Sequence, residues 1–267
     1  MKLTVLTDNM TRIDAYYLGE PGVSYFIQCD GKTILFDTGY SDVYLRNAAK
    51  LQIDLHQVDA IVFSHGHNDH TGGLAYLPSD YHNIPIYAHP ETFVRKVYEG
   101  LDVGSPLSEE EIRKKYNLIL SAEPISLTEH LTFLGQIPRT NDFESQEPIG
   151  RRMIGSLWEP DFLPDDTALV YSGKEGLTII TGCSHAGICN ITEYAKTVCN
   201  DSRIAGIIGG FHLLEMTPRV EKTVEYLKIH HPGMLCPCHC TSFQARAAIN
   251  AALPATEVCV GDIFEID

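Results

Sequence analysis

The 267-residue chain is 44% hydrophobic and 21% charged, which is the composition of an ordinary globular protein and disfavours intrinsic disorder. Its formal net charge of −15 disfavours non-specific binding to nucleic acid and to anionic membranes. The first residues lack a signal-peptide core, and no apolar run approaches the ~18 residues of a membrane span, so we expect a cytoplasmic protein with reduced cysteines.

The first part of the chain alternates predicted strands with predicted helices. Short runs rich in β-branched and apolar residues predict strands over 3–6, 23–28, 33–36, 60–63 and 84–88. Asp30 and Gly31 predict a hairpin turn between the second and third of these strands. Helical spacing behind suitable capping or first-turn residues predicts helices over 41–51 and 90–99.

The middle of the chain, residues 100–165, differs from the rest. It is rich in proline, carries a charged stretch with helical character over 108–120, and contains a polar run over 140–147. Long irregular segments are usually functional lids or linkers. We interpret this segment as a cap inserted into a single domain spanning 1–267, with a linker between two independent domains as the alternative.

The last part repeats the pattern of the first. Strands are predicted over 167–172, 177–181, 203–208, 234–238 and 258–260, and helices over 191–199, 218–230 and 242–252. Strands that are apolar on both faces need a partner layer on each side. The sequence therefore predicts an α/β protein with two sheets face to face and helices outside, a four-layer αββα sandwich.

One motif carries the strongest chemical signal. The predicted strand AIVFS, residues 60–64, runs directly into HGHNDH, residues 65–70. A turn containing glycine can direct His65 and His67 to one side, and Asp69 and His70 then project from the start of a helix. This mixture of imidazole and carboxylate suits zinc, manganese or iron. The alternative is a polar loop with adventitious histidines.

The motif, together with LFDTG at residues 35–39, resembles the metal-binding motif of the metallo-β-lactamase superfamily. The resemblance implies the αββα sandwich of the metallo-β-lactamase type. It also implies that His65 and His67 bind one metal ion, that Asp69 and His70 bind a second, and that Asp37 supports the motif loop through hydrogen bonds. Local turn chemistry is the alternative explanation for Asp37.

The resemblance extends over essentially the whole chain to one branch of that superfamily. It rests on TGCSHAGICN, IIGGFHL, PCHCT and GQIPRTNDFE, at residues 181–190, 207–213, 237–241 and 135–144. That branch contains an archaeal 7,8-dihydropterin-6-methyl-4-(β-D-ribofuranosyl)aminobenzene 5′-phosphate synthase. Neither fold nor branch determines the substrate.

The superfamily pattern assigns further residues at strand ends in the second half. His185 is assigned to the first metal ion and His239 to the second. Cys183 falls on the position of the bridging ligand, where the superfamily usually has aspartate, and a small buried core residue is the alternative reading. His212 is a candidate for contacting substrate or donating a proton, with a metal ligand or a buried structural histidine as alternatives.

These residues predict a metal-dependent enzyme with two divalent cations, with zinc expected and manganese, iron or magnesium as alternatives. Hydrolysis of a small phosphorylated or diphosphate-bearing substrate is the default chemistry, with Asp69 orienting the nucleophile and His212 acting as acid. Arg139, Arg151 and Arg152 are candidate phosphate contacts. The alternatives are a transferase that condenses a pterin-methyl diphosphate with an arylamine ribofuranosyl phosphate, and a non-catalytic metal sensor. The oligomeric state stays open.

Overall fold

The computed structural model describes residues 1–78, 81, 83–144 and 147–267, so residues 145 and 146 of the predicted cap lie outside the described part. The strands, numbered in chain order, are β1 (Lys2–Thr7), β2 (Ser24–Cys29), β3 (Lys32–Phe36), β4 (Ala60–Val62), β5 (Pro85–Ala88), β6 (Lys96–Tyr98), β7 (Leu101–Asp102), β8 (Asn117–Leu120), β9 (Ile125–Ser126), β10 (Leu131–Phe133), β11 (Arg151–Ile154), β12 (Leu157–Pro160), β13 (Ala168–Gly173), β14 (Gly176–Thr181), β15 (Ile204–Gly210), β16 (Met234–Cys238) and β17 (Ile263–Glu265). The α-helices are α1 (Val43–Lys50), α2 (Asn68–Thr71), α3 (Glu109–Lys115), α4 (Ile188–Cys199), α5 (Pro218–His230) and α6 (Phe243–Ala252), and short 3-10 helices cover Leu55–Gln57 and Gly72–Tyr76.

Two large sheets organise the chain. The first is a seven-stranded sheet in the order β17-β1-β2-β3-β4-β5-β8, and the second is a six-stranded sheet in the order β16-β15-β14-β13-β10-β9. In the first sheet β3, β4, β5 and β8 run parallel, and in the second β14, β15 and β16 run parallel. Asp30 and Gly31 form the predicted hairpin turn with φ angles of 51° and 74°, a left-handed backbone that suits a two-residue turn.

The distribution of buried side chains shows four layers. One core lies between the sheets and combines Val5 and Phe36 of the first sheet with Phe133 and Ile180 of the second. A second core packs the outer face of the first sheet against α1 and α3, and a third packs the outer face of the second sheet against α4, α5 and α6. The predicted four-layer αββα sandwich is confirmed.

A small four-stranded sheet, in the order β12-β11-β6-β7, stands apart from the two large ones. It combines residues 96–102 with residues 151–160. Within the segment 100–165, β8, β9 and β10 belong to the two large sheets, whereas β7, β11 and β12 belong to the small one. The cap over 100–165 stays a prediction. The single-domain organisation stays a prediction.

Three local predictions need correction. The segment 90–99 does not form a helix, because β6 within it pairs with β7 and β11. The helix predicted over 108–120 ends at Lys115 and gives way to β8, which pairs with β5. The C-terminal strand lies at Ile263–Glu265, where it pairs with β1, and not at 258–260. In the described part of the chain, no helix combines the length and apolar character that crossing a bilayer requires.

Candidate metal centre

The motif loop starts where β4 ends. His65, shortly after the strand, is buried, and Gly66 follows it. His67 immediately precedes the first turn of α2. A Cβ atom on Gly66 would lie 1.9 Å from the carbonyl oxygen of Thr92, so only glycine lets the loop pass this close to the neighbouring backbone. The glycine thus makes the sharp turn that brings the two imidazoles side by side.

The first ligand group consists of His65, His67 and His185, whose ligand atoms lie within 4.8 Å of one another. His65 Nε2 lies 3.1 Å from His67 Nδ1. Both ring nitrogens of His185, which follows β14 in the other sheet, are buried and have no hydrogen-bond partner in the described part of the chain. Buried polar atoms normally find partners, so these nitrogens indicate a ligand that binds between the rings.

The second ligand group consists of Asp69, His70, Cys183 and His239, again within 4.8 Å. Asp69 Oδ2 lies 3.5 Å from His70 Nε2 and 3.4 Å from His239 Nε2. Cys183 Sγ lies 3.1 Å from His70 Nε2. The Asn9 carboxamide oxygen lies 3.0 Å from His239 Nδ1, so Nε2 of His239 is the nitrogen directed at the group.

A third cluster overlaps the second. Cys183, His212 and Cys240 also place their ligand atoms within 4.8 Å of one another. The backbone N–H of His212 donates to Cys240 Sγ over 3.3 Å. Cys240, which the sequence analysis left unassigned, therefore adds a second thiol beside Cys183.

The donor sets fit a pair of divalent cations. Tetrahedral zinc with metal–nitrogen bonds of about 2.0–2.1 Å requires donor atoms roughly 3.3 Å apart, close to the spacings in both groups. Burial lowers the pKa of His65 and of His185 well below the usual value and lowers that of His67 to about 4. These imidazoles are therefore neutral at pH 7, and the neutral ring is the form that binds metal.

The second group carries more charge. Burial opposes protonation of His70, but Asp69 and Asp37 outweigh it and raise the pKa of His70 to about 10. Burial likewise opposes ionisation of Asp69, yet His70 and His239 hold its pKa well below the ordinary value. The carboxylate is thus ionised, and the proton on His70 occupies a position that a bound cation would take.

Asp37 connects the motif loop to the end of β3. One carboxylate oxygen accepts from the backbone N–H of Ser64 at 2.8 Å, and the other lies 2.7 Å from Nδ1 of His70. The Ser64 hydroxyl also donates to Asp37 over 2.7 Å. The aspartate therefore holds His70 with Nε2 facing the second ligand group.

Unusual backbone geometry is concentrated at the site. Asp37, Ser184, His212 and His239 all have positive φ angles, between 47° and 61°. Non-glycine residues enter this region at a cost of about 1–3 kcal/mol each, and such strain clusters at functional sites. Asp37, His212 and His239 follow the carboxyl ends of strands, and Ser184 is adjacent to the candidate ligand His185.

Two aspartates that were not predicted from the sequence hold the ligand loops. Asp165 Oδ2 accepts the backbone N–H of Gly66 at 2.8 Å, and Asp166 Oδ2 accepts that of Ala186 at 2.8 Å. Asp165 also binds the buried Lys96 at 2.9 Å. The sequence did contain a signal for them. The two acidic residues are adjacent and stand shortly before β13, which pairs with the strand that precedes His185. The two carboxylates position the loops of His65, His67 and His185 from one turn.

The three arginines predicted to contact phosphate lie away from the ligand groups. Arg139 donates to the carbonyl of Phe162 and lines a separate cavity of about 680 Å³. Arg151 is exposed and donates to the Trp158 carbonyl, while Arg152 forms an ion pair with Glu91. Each guanidinium thus has a protein partner of its own, and its contact with phosphate stays a prediction.

A cavity of about 330 Å³ opens over the ligand groups, and we call it the metal cavity. Its walls include His67, Asp69 and His185, together with Thr241 and Ser242 at the start of α6. The Asp69 side chain is 28% exposed, so its carboxylate is accessible from this cavity. His212 also lines it, and its buried Nδ1 has no hydrogen-bond partner among the described residues.

An αββα sandwich that gathers histidine, aspartate and cysteine side chains at one edge of both sheets defines a metallo-β-lactamase-type protein. Residues 18–198 match the Metallo-beta-lactamase superfamily, and the chain belongs to this superfamily.

Relatives of similar length support the branch assignment. The chain is 33% identical over 260 residues to an uncharacterized protein of Methanocaldococcus jannaschii, covering 93% of each. It is 30% identical over 264 residues to the 7,8-dihydropterin-6-methyl-4-(beta-D-ribofuranosyl)-aminobenzene-5′-phosphate synthase of the same organism, covering 92% of this chain and 89% of the synthase. The structure is similar to that of Tm1679, a metal-dependent hydrolase of the beta-lactamase superfamily, with a TM-score of 0.86, 30% identity and coverage of 100% and 99%.

Proposed function

We propose that the chain is a metal-dependent enzyme that acts on a small phosphorylated or diphosphate-bearing molecule at a pair of divalent cations. The observation that carries this proposal is the convergence of two ligand groups on one open cavity, with buried imidazole nitrogens that have no hydrogen-bond partner within the residues that the structure describes. Bound cations would supply a Lewis acid for a phosphoryl oxygen and would lower the pKa of a nucleophilic water.

We assign the first cation to His65, His67 and His185, and the second to Asp69, His70 and His239. Cys183 is the proposed shared ligand, because it lies two residues before His185 of the first group and its sulfur lies 3.1 Å from His70 Nε2 of the second. A thiolate at this position favours zinc over harder ions. The ligands of each cation come from both sheets.

The remaining residues orient the reacting groups and limit the access of water. Asp69 turns its carboxylate towards the metal cavity and can hold a nucleophile in line with the substrate. His212 lies outside the first two ligand groups, with its ring centroid 4.2 Å from that of His185. It is the proposed proton donor to the leaving group. The small sheet places Tyr98 next to the ligand loop. We propose that this sheet is the cap that limits the access of water.

Transfer chemistry is the second candidate. The synthase relative covers nearly the full chain, and the reaction implied by that branch joins a pterin-methyl diphosphate to an arylamine with release of pyrophosphate. The same ligand groups would bind the diphosphate, and exclusion of water by the small sheet would keep hydrolysis from competing.

The test combines metal analysis with turnover. We expect protein purified without chelator to contain up to two equivalents of zinc or manganese and to cleave bis(4-nitrophenyl) phosphate. His67→Ala should lose cation and activity, whereas His231→Ala, at an exposed position, should keep both. Unchanged metal content and activity in His67→Ala would refute the assignment. Pyrophosphate release from a pterin-methyl diphosphate only when an arylamine is present would favour the transferase.

A further inference from the structure

A second cavity adjoins the metal cavity. It also measures about 330 Å³, and it shares His67, Asp69 and Ile149 with the metal cavity. Its other walls include Pro21, Tyr40, Tyr98 and Val103. Polar residues of the ligand loop, Asn68 among them, thus line part of this cavity, and aromatic and aliphatic side chains line most of the remainder.

Tyr40 is exposed, yet its backbone is held firmly. Tyr40 is 51% exposed as a residue. Its backbone N–H donates to Glu20 Oε1 over 2.9 Å. The Ser41 hydroxyl donates to the other oxygen of the same carboxylate. A Cβ atom on Gly72 would lie 2.3 Å from the Tyr40 carbonyl oxygen. The loop is therefore packed against the segment that follows α2, and the ring is presented from a fixed backbone.

Tyr98 also lines this cavity and belongs to the small sheet. It is 45% exposed and pairs with Leu101 across the β6–β7 hairpin. The backbone N–H of Asn68 donates to the Val103 carbonyl over 2.9 Å, which ties this hairpin to the residue between His67 and Asp69. The two tyrosines thus stand on different elements that are both anchored to the ligand loop.

We propose that this second cavity, here called the ring slot, binds a planar aromatic or heteroaromatic ring of the substrate. Half-exposed tyrosines on fixed backbones gain most by stacking on a flat ring, because little conformational freedom is lost on binding. A ring in the slot would place an attached phosphoryl or diphosphoryl group beside Asp69 and His67. The inference rests on the proposed function, since the group carried by the ring is the one that reacts at the ligand groups.

The different linings of the metal cavity and the ring slot would determine which substrates bind. The metal cavity is lined mainly by imidazoles, thiols, hydroxyls and a carboxylate. The ring slot shares His67, Asp69 and Ile149 with it and adds Pro21, Val103 and the two tyrosines. An aliphatic phosphate would fill only the first region. A substrate whose aromatic ring is joined to its phosphoryl group by a short linker would fill both.

The experiment measures ring binding and phosphate binding separately on zinc-loaded full-length protein. The ring probes are 6-hydroxymethylpterin, followed by its fluorescence anisotropy, and 4-aminobenzoate and 4-nitrophenyl phosphate, followed by calorimetry. Pyrophosphate binding and zinc content are measured on the same samples. The variants are Tyr40→Ala, Tyr98→Ala and Tyr98→Phe, with Tyr76→Ala, at an exposed tyrosine outside both cavities, as the matched control.

We expect Tyr40→Ala and Tyr98→Ala to weaken ring binding about tenfold or more, with pyrophosphate affinity and zinc content within twofold of the wild type. Tyr98→Phe should bind the ring nearly as well as the wild type, since stacking does not need the hydroxyl. The ring slot is refuted if the wild type binds none of the ring probes, or if Tyr76→Ala weakens binding as much as Tyr98→Ala does. Absence of zinc and pyrophosphate binding in a wild type that still binds the ring would instead refute the proposed function.

Discussion

Replacing Lys96 with methionine provides the sharpest test of how the ligand loops are held. Lys96 is 1% exposed, and its ammonium donates to Asp161 and to Asp165 over 2.9 Å each. Both carboxylates are fully buried. Methionine keeps the apolar stem but leaves two buried carboxylates without a cation. Removing one partner of a buried ion pair costs about 3–5 kcal/mol, a large part of the 5–15 kcal/mol typical of a folded domain.

Urea denaturation of metal-free protein measures this loss as a change in the free energy of unfolding. Arg113→Met removes an exposed i,i+4 pair with Glu109 and should cost no more than about 0.5 kcal/mol. Combining Lys96→Met with Asp161→Asn and Asp165→Asn should restore much of the lost stability, because no buried charge is then unpaired. A loss below about 1 kcal/mol in Lys96→Met alone would refute the reasoning.

Three further outcomes follow from the site. Gly66→Ala should lower Tm strongly and reduce bound zinc, because the new Cβ meets the Thr92 carbonyl; a wild-type melting curve with full zinc content would contradict this. Burial raises the pKa of Asp166 to about 7, so the folded metal-free protein binds a proton that the unfolded chain has released, and stability is lost as pH rises from about 4 through 7. Asp166→Asn should flatten that decline in denaturant titrations at pH 5–8, and a decline equal to that of the wild type would count against it. A chelator should lower Tm by roughly 5–10 °C when free zinc had been near 100 times its Kd, as about 2.7 kcal/mol of binding stabilisation is removed; an unchanged Tm would show that cation binding is not linked to folding.

The sequence predicted the layers well because they depend on local signals that repeat. Alternating or continuous apolar runs located most strands of both large sheets but not β8, β9, β10 and β17. The HGHNDH motif followed β4 as its spacing indicated. His185 and His239 were found because each stands shortly after a predicted strand. The structure brings these histidines into the two ligand groups, while their binding of metal stays a prediction.

The sequence failed where partners distant along the chain decide the outcome. The segment around β6 has helical spacing, yet pairing with β11, more than fifty residues later, makes it a strand. Lys96 looks like a surface residue until Asp161 and Asp165 surround it.

The origin of the ligands has a mechanical consequence. His65 and His67 follow a strand of the first sheet, whereas His185 follows a strand of the second, and Asp69 and His239 are divided in the same way. A cation held between them is therefore a removable cross-link across the sandwich, comparable to a disulfide that forms without oxidation. Loss of the ion leaves the two halves joined at that edge only by ordinary packing, so amide exchange should accelerate first at the ligand-bearing ends of β4 and β14.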